Sequence, residues 1–247
     1  MKIKVAGLCC DVNVLYSATE VYCADYVSDD EAEGAITTTP EDIDFERAQC
    51  IREAQIEGIP YVERSNTQLE MIAIQRNFAE MLFSRDTLLF HGSVIAVDGM
   101  AYLFTAKSGT GKSTHTRLWR EMLGERAVMV NDDKPFLAVT DRGVIVYGSP
   151  WNGKHRLGAN VAVPLRAICI LTRGEQNSIT EIRPAEAVRM LFQQSYRPQN
   201  ASMMPKYMEL LDGIAAGVTF YRLSCNMEPE AAKVSFEAMS RDKISKY

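Results

Sequence analysis

This 247-residue chain has no long apolar run, no paired cysteines, no internal repeat and no excess of positive charge. No stretch approaches the ~20 apolar residues that span a bilayer. Met1-Lys-Ile-Lys-Val5 reads as the opening of a strand and not as a signal peptide, so no membrane association is expected. A net charge of -5 excludes a nucleic-acid surface spread over the whole chain, though it leaves room for a local basic pocket. The six cysteines (Cys9, Cys10, Cys23, Cys50, Cys169 and Cys225) form no C-x-x-C pair and have no histidine at metal-ligand spacing. Buried thiols in a reducing cytoplasm are expected, not disulfides or a zinc site. Histidine is scarce, with only His91, His115 and His155.

What is present is ordinary in bulk: 47% hydrophobic and 24% charged residues suit a soluble globular protein of one large domain, or a core with a smaller lobe. Residues 1–85 read as a small α+β lobe. It has one or two strands in 3–16, a short strand near Ala35–Thr39, a helix over 42–57 ended by Gly58-Ile-Pro60, and a second helix over 66–84. Residues 86–247 change texture. Short strands at 88–90, 93–97 and 101–105 precede a helix at 112–123, followed by a strand at 127–130 and a hairpin of 136–139 with 144–147. Beyond these come a strand at 163–171, helices at 184–195 and 203–215, a strand at 217–225 and a helix at 228–240. Hairpins among the strands predict an α/β fold with a mixed sheet, not an all-parallel one.

One segment carries chemistry on its face. Ala106-Lys-Ser-Gly-Thr-Gly-Lys-Ser113 follows the apolar run 101–105 and opens a helix, the layout of a phosphate-binding loop (P-loop). Gly109 and Gly111 let successive N–H groups turn toward one anion, and the helix adds its positive N-terminal end. Lys112 supplies a point charge for the outer phosphates, and the Ser113 hydroxyl can ligate Mg²⁺. Lys107, Ser108, Thr110 and Thr114 complete the set of expected nucleotide contacts. Ala106 replaces the first glycine of G-x-x-x-x-G-K-[ST], which an ordinary negative φ at a strand end tolerates. A Gly/Ser-rich surface turn before a helix is the plainer alternative.

Asn131-Asp-Asp-Lys134 directly follows a buried strand. Downstream of a phosphate loop, one carboxylate can hold Mg²⁺ and the other can take a proton from an attacking hydroxyl; elsewhere the same tetrapeptide would be a solvated turn. His91-Gly92 lies between two strands and can position a phosphate or order a carboxylate, or simply pack at a strand end. Gly148-Ser-Pro-Trp-Asn-Gly-Lys-His-Arg156 combines Trp151 with Lys154, His155 and Arg156 in a Gly-flanked loop. It suits an anionic or hydroxylated substrate, or a mobile surface loop. Arg197 could reach a phosphate from a helix end or form a surface ion pair.

Together these blocks resemble the catalytic domain of the bacterial HPr kinase/phosphorylase family. The pattern His-Gly, two strands, Ser-Gly-Thr-Gly-Lys-Ser and Asp-Asp after the next strand stands here as His91-Gly92, Ser108–Ser113 and Asp132-Asp133, within residues 88–175. That family shares a mixed-sheet P-loop fold with ATP-dependent phosphoenolpyruvate carboxykinase, and free-serine kinases look similar. The resemblance implies an ATP- and Mg²⁺-dependent kinase with a small-molecule, peptide or protein hydroxyl as acceptor, and a homo-oligomer. It also implies roles: Lys112 on the β- and γ-phosphates, Ser113 on the metal, His91 beside the transferred group, and Asp132 and Asp133 dividing metal binding and general base between them. Asp132 is taken as the metal ligand and Asp133 as the base, an order the sequence does not fix. The region after the Asp-Asp strand lacks the family's acidic residue, and the later basic segment is not recognisable, which points away from HPr as the acceptor. A non-catalytic nucleotide-binding regulator, a carboxykinase-like enzyme and a hydrolytic ATPase are the alternatives.

Overall fold

The computed structural model of the chain describes residues 1–107 and 109–241. Ser108, one of the expected phosphate contacts, lies outside the described residues. The chain divides into two compact units, Met1–Leu82 and the part from Phe83 onward.

In the first unit, β1 (Lys2–Val5) and β2 (Leu8–Asn13) form a hairpin, and β3 (Gly34–Thr37) adds to β2 in parallel. Helix α1 (Ser17–Tyr22) was not expected; six residues are too few to show an apolar period. Helix α2 (Pro40–Glu57) starts two residues earlier than its pattern, because Pro40 at the first turn gives up no needed N–H. Thr39 and Asp42 close a capping box there, and Gly58 ends the helix at φ 69°. Helix α3 (Asn66–Leu82) buries Leu69, Ile74, Phe78 and Leu82, and the expected last turn tightens into a 3₁₀ turn at Phe83–Arg85.

The second unit carries nine strands of the described residues in one mixed sheet. They are β4 (Thr87–Leu89), β5 (Ser93–Val97), β6 (Met100–Thr105), β7 (Ala127–Asn131), β8 (Phe136–Thr140), β9 (Gly143–Tyr147), β10 (Ala162–Arg173), β11 (Ser178–Ile182) and β12 (Thr219–Cys225). The order runs β4-β8-β9-β10-β6-β5-β7, with β12 paired to β10 and β11 to β12. β6, β10 and β12 are mutually parallel, while β5–β6, β5–β7 and β8–β9 are antiparallel. The fold is therefore α/β with a mixed sheet, as the hairpin pattern predicts. β11 escaped prediction: Ser-Ile-Thr-Glu-Ile is mostly exposed and lacks apolar contrast.

Both faces of the sheet are covered. Val94, Ala96, Ala101 and Leu103 point to one face, against Leu191 of α5 (Pro184–Gln194) and Tyr207 and Ile214 of α6 (Met204–Gly217). Ile95, Val97, Tyr102 and Phe104 point to the other, against Leu118 and Trp119 of α4 (Lys112–Leu123) and Met239 of α7 (Pro229–Met239). This period-2 division explains why β5 and β6 read as unbroken apolar runs. All six cysteines are free thiols. Cys9, Cys10, Cys23 and Cys169 are buried as expected, whereas Cys50 and Cys225 are only half-buried.

Candidate functional site

Topology gathers the motifs at one edge of the second unit's sheet. β6 and β7 both run antiparallel to β5, with Phe104 opposite Ser93 and Asn131 opposite Val94. The C-terminal ends of β6 and β7 thus flank the start of β5. The glycine-rich loop, His91-Gly92 and Asp132-Asp133 share that edge. β10, parallel to β6 with Ile170 opposite Thr105, ends there as well.

Ala106 is fully buried among Phe104, Leu118 and Trp119, and it is not one of the positive-φ residues. Its methyl group fills core space under the loop, so the departure from glycine has a packing reason. Gly109 (φ +74°) and Gly111 (φ +120°) have open space where a Cβ would stand, so backbone conformation and not crowding requires glycine. Gly111 caps α4 with no side-chain hydrogen bond, and the first turn holds no acidic residue. Among the described residues no side chain caps the first-turn N–H groups, which include those of Lys112, Ser113 and Thr114, and an uncapped helix start of this kind suits an anion. The half-buried Lys112 reaches back so that Nζ is 3.4 Å from the Ala106 carbonyl. Burial lowers its pKa below the lysine norm; Lys134 adds to this and Asp133 opposes it. Thr110 closes the turn on Lys107, its N–H 3.2 Å and its hydroxyl 2.8 Å from the Lys107 carbonyl.

The fully buried Asn131 organises the acidic segment. Its Oδ1 accepts the N–H groups of Asp133 (2.8 Å) and Lys134 (2.6 Å), and its Nδ2 donates to the Ser149 carbonyl and hydroxyl. The two carboxylates then part ways. Asp132 is buried and its Oδ1 accepts the Gly153 N–H at 2.6 Å. Burial raises its pKa, the Gly153 hydrogen bond opposes this, and the Asp133 charge adds to it. Asp133 faces His91, Oδ1 to Nε2 3.2 Å. Burial alone would raise Asp133, but the His91 hydrogen bond and the charges of Lys134 and Lys112 prevail and hold it below the carboxylate norm. His91 is itself lowered, chiefly by burial and then by the two lysines, against the pull of Asp133. The pair at neutral pH is a neutral imidazole donating to a carboxylate. Three hydrogen bonds hold the main chain that carries the ring: His91 N–H to the Gln194 carbonyl (2.7 Å), Thr105 hydroxyl to the His91 carbonyl (3.1 Å), and Gly92 N–H to the Asp133 carbonyl (3.0 Å). A Cβ at Gly92 would stand 2.9 Å from Leu103 Cδ2 and 3.0 Å from the Phe104 carbonyl, so glycine must follow this histidine.

The loop 148–156 differs from a mobile flap. Its stem is held by Gly148 N–H to the Val161 carbonyl (3.0 Å), Ala159 N–H to the Val130 carbonyl (3.2 Å), Ser149 hydroxyl to the Lys134 carbonyl (2.6 Å) and Gly153 to Asp132. Trp151 is 6% exposed and meets Phe136 edge-on at 6.1 Å, so its ring supports the loop from below and does not offer an open aromatic face. Lys154, His155 and Arg156 are exposed at the tip. Arg197 is exposed and stacks over Phe192 at 5.2 Å. His115 turns into the core, 3.0 Å from the Ser235 hydroxyl, and burial drives its pKa down to about 4. Of the three histidines only His91 joins the aspartates.

These contacts separate two roles for Asp132. Asp132→Asn keeps an oxygen that can accept the Gly153 N–H, whereas Asp132→Ala does not. If the side chain anchors the loop, protease nicking at 154–156 increases in the alanine variant alone. Equal nicking in both variants would show that the negative charge, not the hydrogen bond, holds the loop.

Two features of the site were not legible beforehand. The anchoring by Asn131 and Ser149 was hidden inside a generic turn sequence. Arg173, the last residue of β10, donates from Nη2 to the Gly109 carbonyl at 2.6 Å, and nothing in Leu-Thr-Arg-Gly announces this. Among the described residues, no group of three or more His, Cys, Asp or Glu could hold a metal unaided. The Ser113 hydroxyl and the Asp132 carboxylate are hard oxygens, the donor type that Mg²⁺ takes.

No family model and no curated protein matches the chain. Among solved structures, the HPr(Ser) kinase/phosphatase from Coxiella burnetii is similar at 10% identity and a TM-score of 0.36, over 61% of this chain and 95% of that one.

Proposed function

We propose that this chain is an ATP- and Mg²⁺-dependent phosphotransferase acting on a hydroxyl of a small molecule or on a serine of a peptide or small protein. The observation that carries the reading is the 3.2 Å contact of His91 Nε2 with Asp133 Oδ1, with Lys112 of the glycine-rich loop among the charges that hold Asp133 below the carboxylate norm. A carboxylate held ionised and oriented beside a phosphate cradle is what hydroxyl activation needs. In this reading the phosphates lie over residues 107–114. Asp133 orients the acceptor hydroxyl and receives its proton as the oxygen bonds to the terminal phosphorus and the bond to the bridging oxygen breaks. Lys112 neutralises charge gathering on the transferred group and on the departing ADP. Ser113 and Asp132 would hold Mg²⁺, which supplies further charge neutralisation when bound. Lys154, His155 and Arg156 serve as acceptor contacts from the loop tip, with Trp151 beneath them.

The test incubates the chain with Mg²⁺ and γ-labelled ATP against panels of hydroxylated metabolites and serine peptides. Both transferred label and free phosphate are read. Label on an acceptor hydroxyl is the expected result. Release of phosphate at a rate indifferent to every acceptor would make the protein an ATPase, and intact ATP throughout would remove the enzyme reading.

A further inference from the structure

We propose that Arg173 is a positioning residue that sets the glycine-rich loop in its anion-binding conformation by holding the Gly109–Thr110 peptide in one orientation. The proposal takes its ligand from the phosphotransferase reading above, but the loop ordering it describes does not depend on that reading.

The geometry runs from strand to loop. β10 and β6 are adjacent and parallel, with Ile170 opposite Thr105. Arg173 therefore leaves the sheet beside the loop that β6 feeds. Its Nη2 donates to the Gly109 carbonyl at 2.6 Å. The N–H of the same peptide unit, on Thr110, donates to the Lys107 carbonyl at 3.2 Å. Both polar ends of one peptide are thus occupied, one by the turn and one by the arginine.

This matters because of the residue type. Gly109 has φ +74°, and without a Cβ it leaves ψ, which sets the plane of the Gly109–Thr110 peptide, free of side-chain restraint. A glycine peptide without a partner for its carbonyl can flip, and a flipped plane would turn a carbonyl into the cradle where N–H groups are wanted. Arg173 removes that alternative. A guanidinium suits the task because its charge makes the bond stronger than a neutral donor would. The same charge adds to the positive field of Lys107 and Lys112 without occupying the cradle.

The experiment compares Arg173→Ala, Arg173→Gln and Arg173→Lys with the unmodified chain. It measures equilibrium affinity for Mg²⁺-ADP and Mg²⁺-ATP, transfer at saturating ATP, and hydrogen exchange of the amides of residues 109–113 without nucleotide. Arg173→Ala should weaken ADP and ATP alike by about tenfold, the size of one charge-assisted hydrogen bond. Amide exchange in the loop should accelerate, saturated turnover should stay near that of the unmodified chain, and Arg173→Lys should recover part of the affinity. Unchanged loop exchange in Arg173→Ala would overturn the proposal. So would a loss confined to ATP or to saturated turnover, because the arginine would then touch the transferred group and not the loop. If the unmodified chain binds no nucleotide, the phosphotransferase reading fails, and the exchange measurement still decides the role of Arg173.

Discussion

Asp133→Asn is expected to slow phosphoryl transfer by about 10²–10⁴-fold, the range for losing a positioned acid–base group, while nucleotide binding survives. The substitution is isosteric and keeps an oxygen that can accept from His91 Nε2, so the ring and the adjoining backbone bonds stay in place. What disappears is the negative charge that orients the acceptor hydroxyl. Lys112 and Lys134 also lose the anion that partly balances them, so Mg²⁺-ATP should bind at least as tightly as before. Lys112→Ala makes the opposite pattern: affinity for ATP falls first, and turnover with it. Single-turnover transfer and equilibrium binding on both variants separate the two. A variant Asp133→Asn that transfers normally cannot have lost its base. One that loses Mg²⁺-ATP binding would exchange the roles given to Asp132 and Asp133.

The same pair predicts a pH profile. Activity requires Asp133 ionised and His91 neutral. Both pKa values lie below their ordinary positions, 3.8 and 6.5, so the active form is complete at neutral pH. On acidification the histidine charges first, at a pH below 6.5, and its new charge pulls the carboxylate's field away from the acceptor. The acid limb of kcat/KM should therefore fall below pH 6.5, and His91→Asn, which has no ionising ring, should move it lower still. On the alkaline side Lys112 loses its proton below its ordinary 10.5, which places the second limb below that value. An acid limb above pH 6.5 would contradict a neutral, half-buried His91.

The placement of the motifs was readable because short spacings announce it: two glycines and a Lys-Ser at a strand-to-helix junction, two aspartates at the next strand end. The mixed sheet was readable because the 136–147 hairpin turns on Thr-Asp-Arg-Gly. What could not be read depends on distance in sequence. β10 pairs with β6 on one side and with β12 on the other, and only that arrangement carries Arg173 to Gly109. Trp151 beside three cationic residues reads as a recognition face until Phe136 is found against it. His115, two residues past the loop serine, belongs instead to a core contact with Ser235, 120 residues away. Composition assigns a residue's chemistry, and topology decides whether that chemistry faces the site or the core.

Glu70 is the strongest instance, and its replacement should have the largest effect on stability. It stands in the interior of α3 at 0% exposure, where a carboxylate persists only with several donors. Its Oε1 accepts the Leu15 N–H at 2.5 Å and the Thr38 hydroxyl at 2.6 Å. Its Oε2 accepts the Tyr16 N–H at 3.3 Å and the Thr19 hydroxyl. One side chain thus ties the start of α1 and the residue before the α2 cap to α3. Glu70→Ala strands four donors in the interior of the first unit and should cost about 3–5 kcal/mol. Glu70→Gln keeps one accepting oxygen but turns an NH₂ toward donors, so it should recover only part of the loss. Denaturant unfolding followed by a probe in residues 1–82 measures the difference, with nucleotide affinity recorded in parallel for the second unit. A loss under ~1 kcal/mol for Glu70→Ala would mean that water replaces the carboxylate without penalty, and that α1 is held by packing alone.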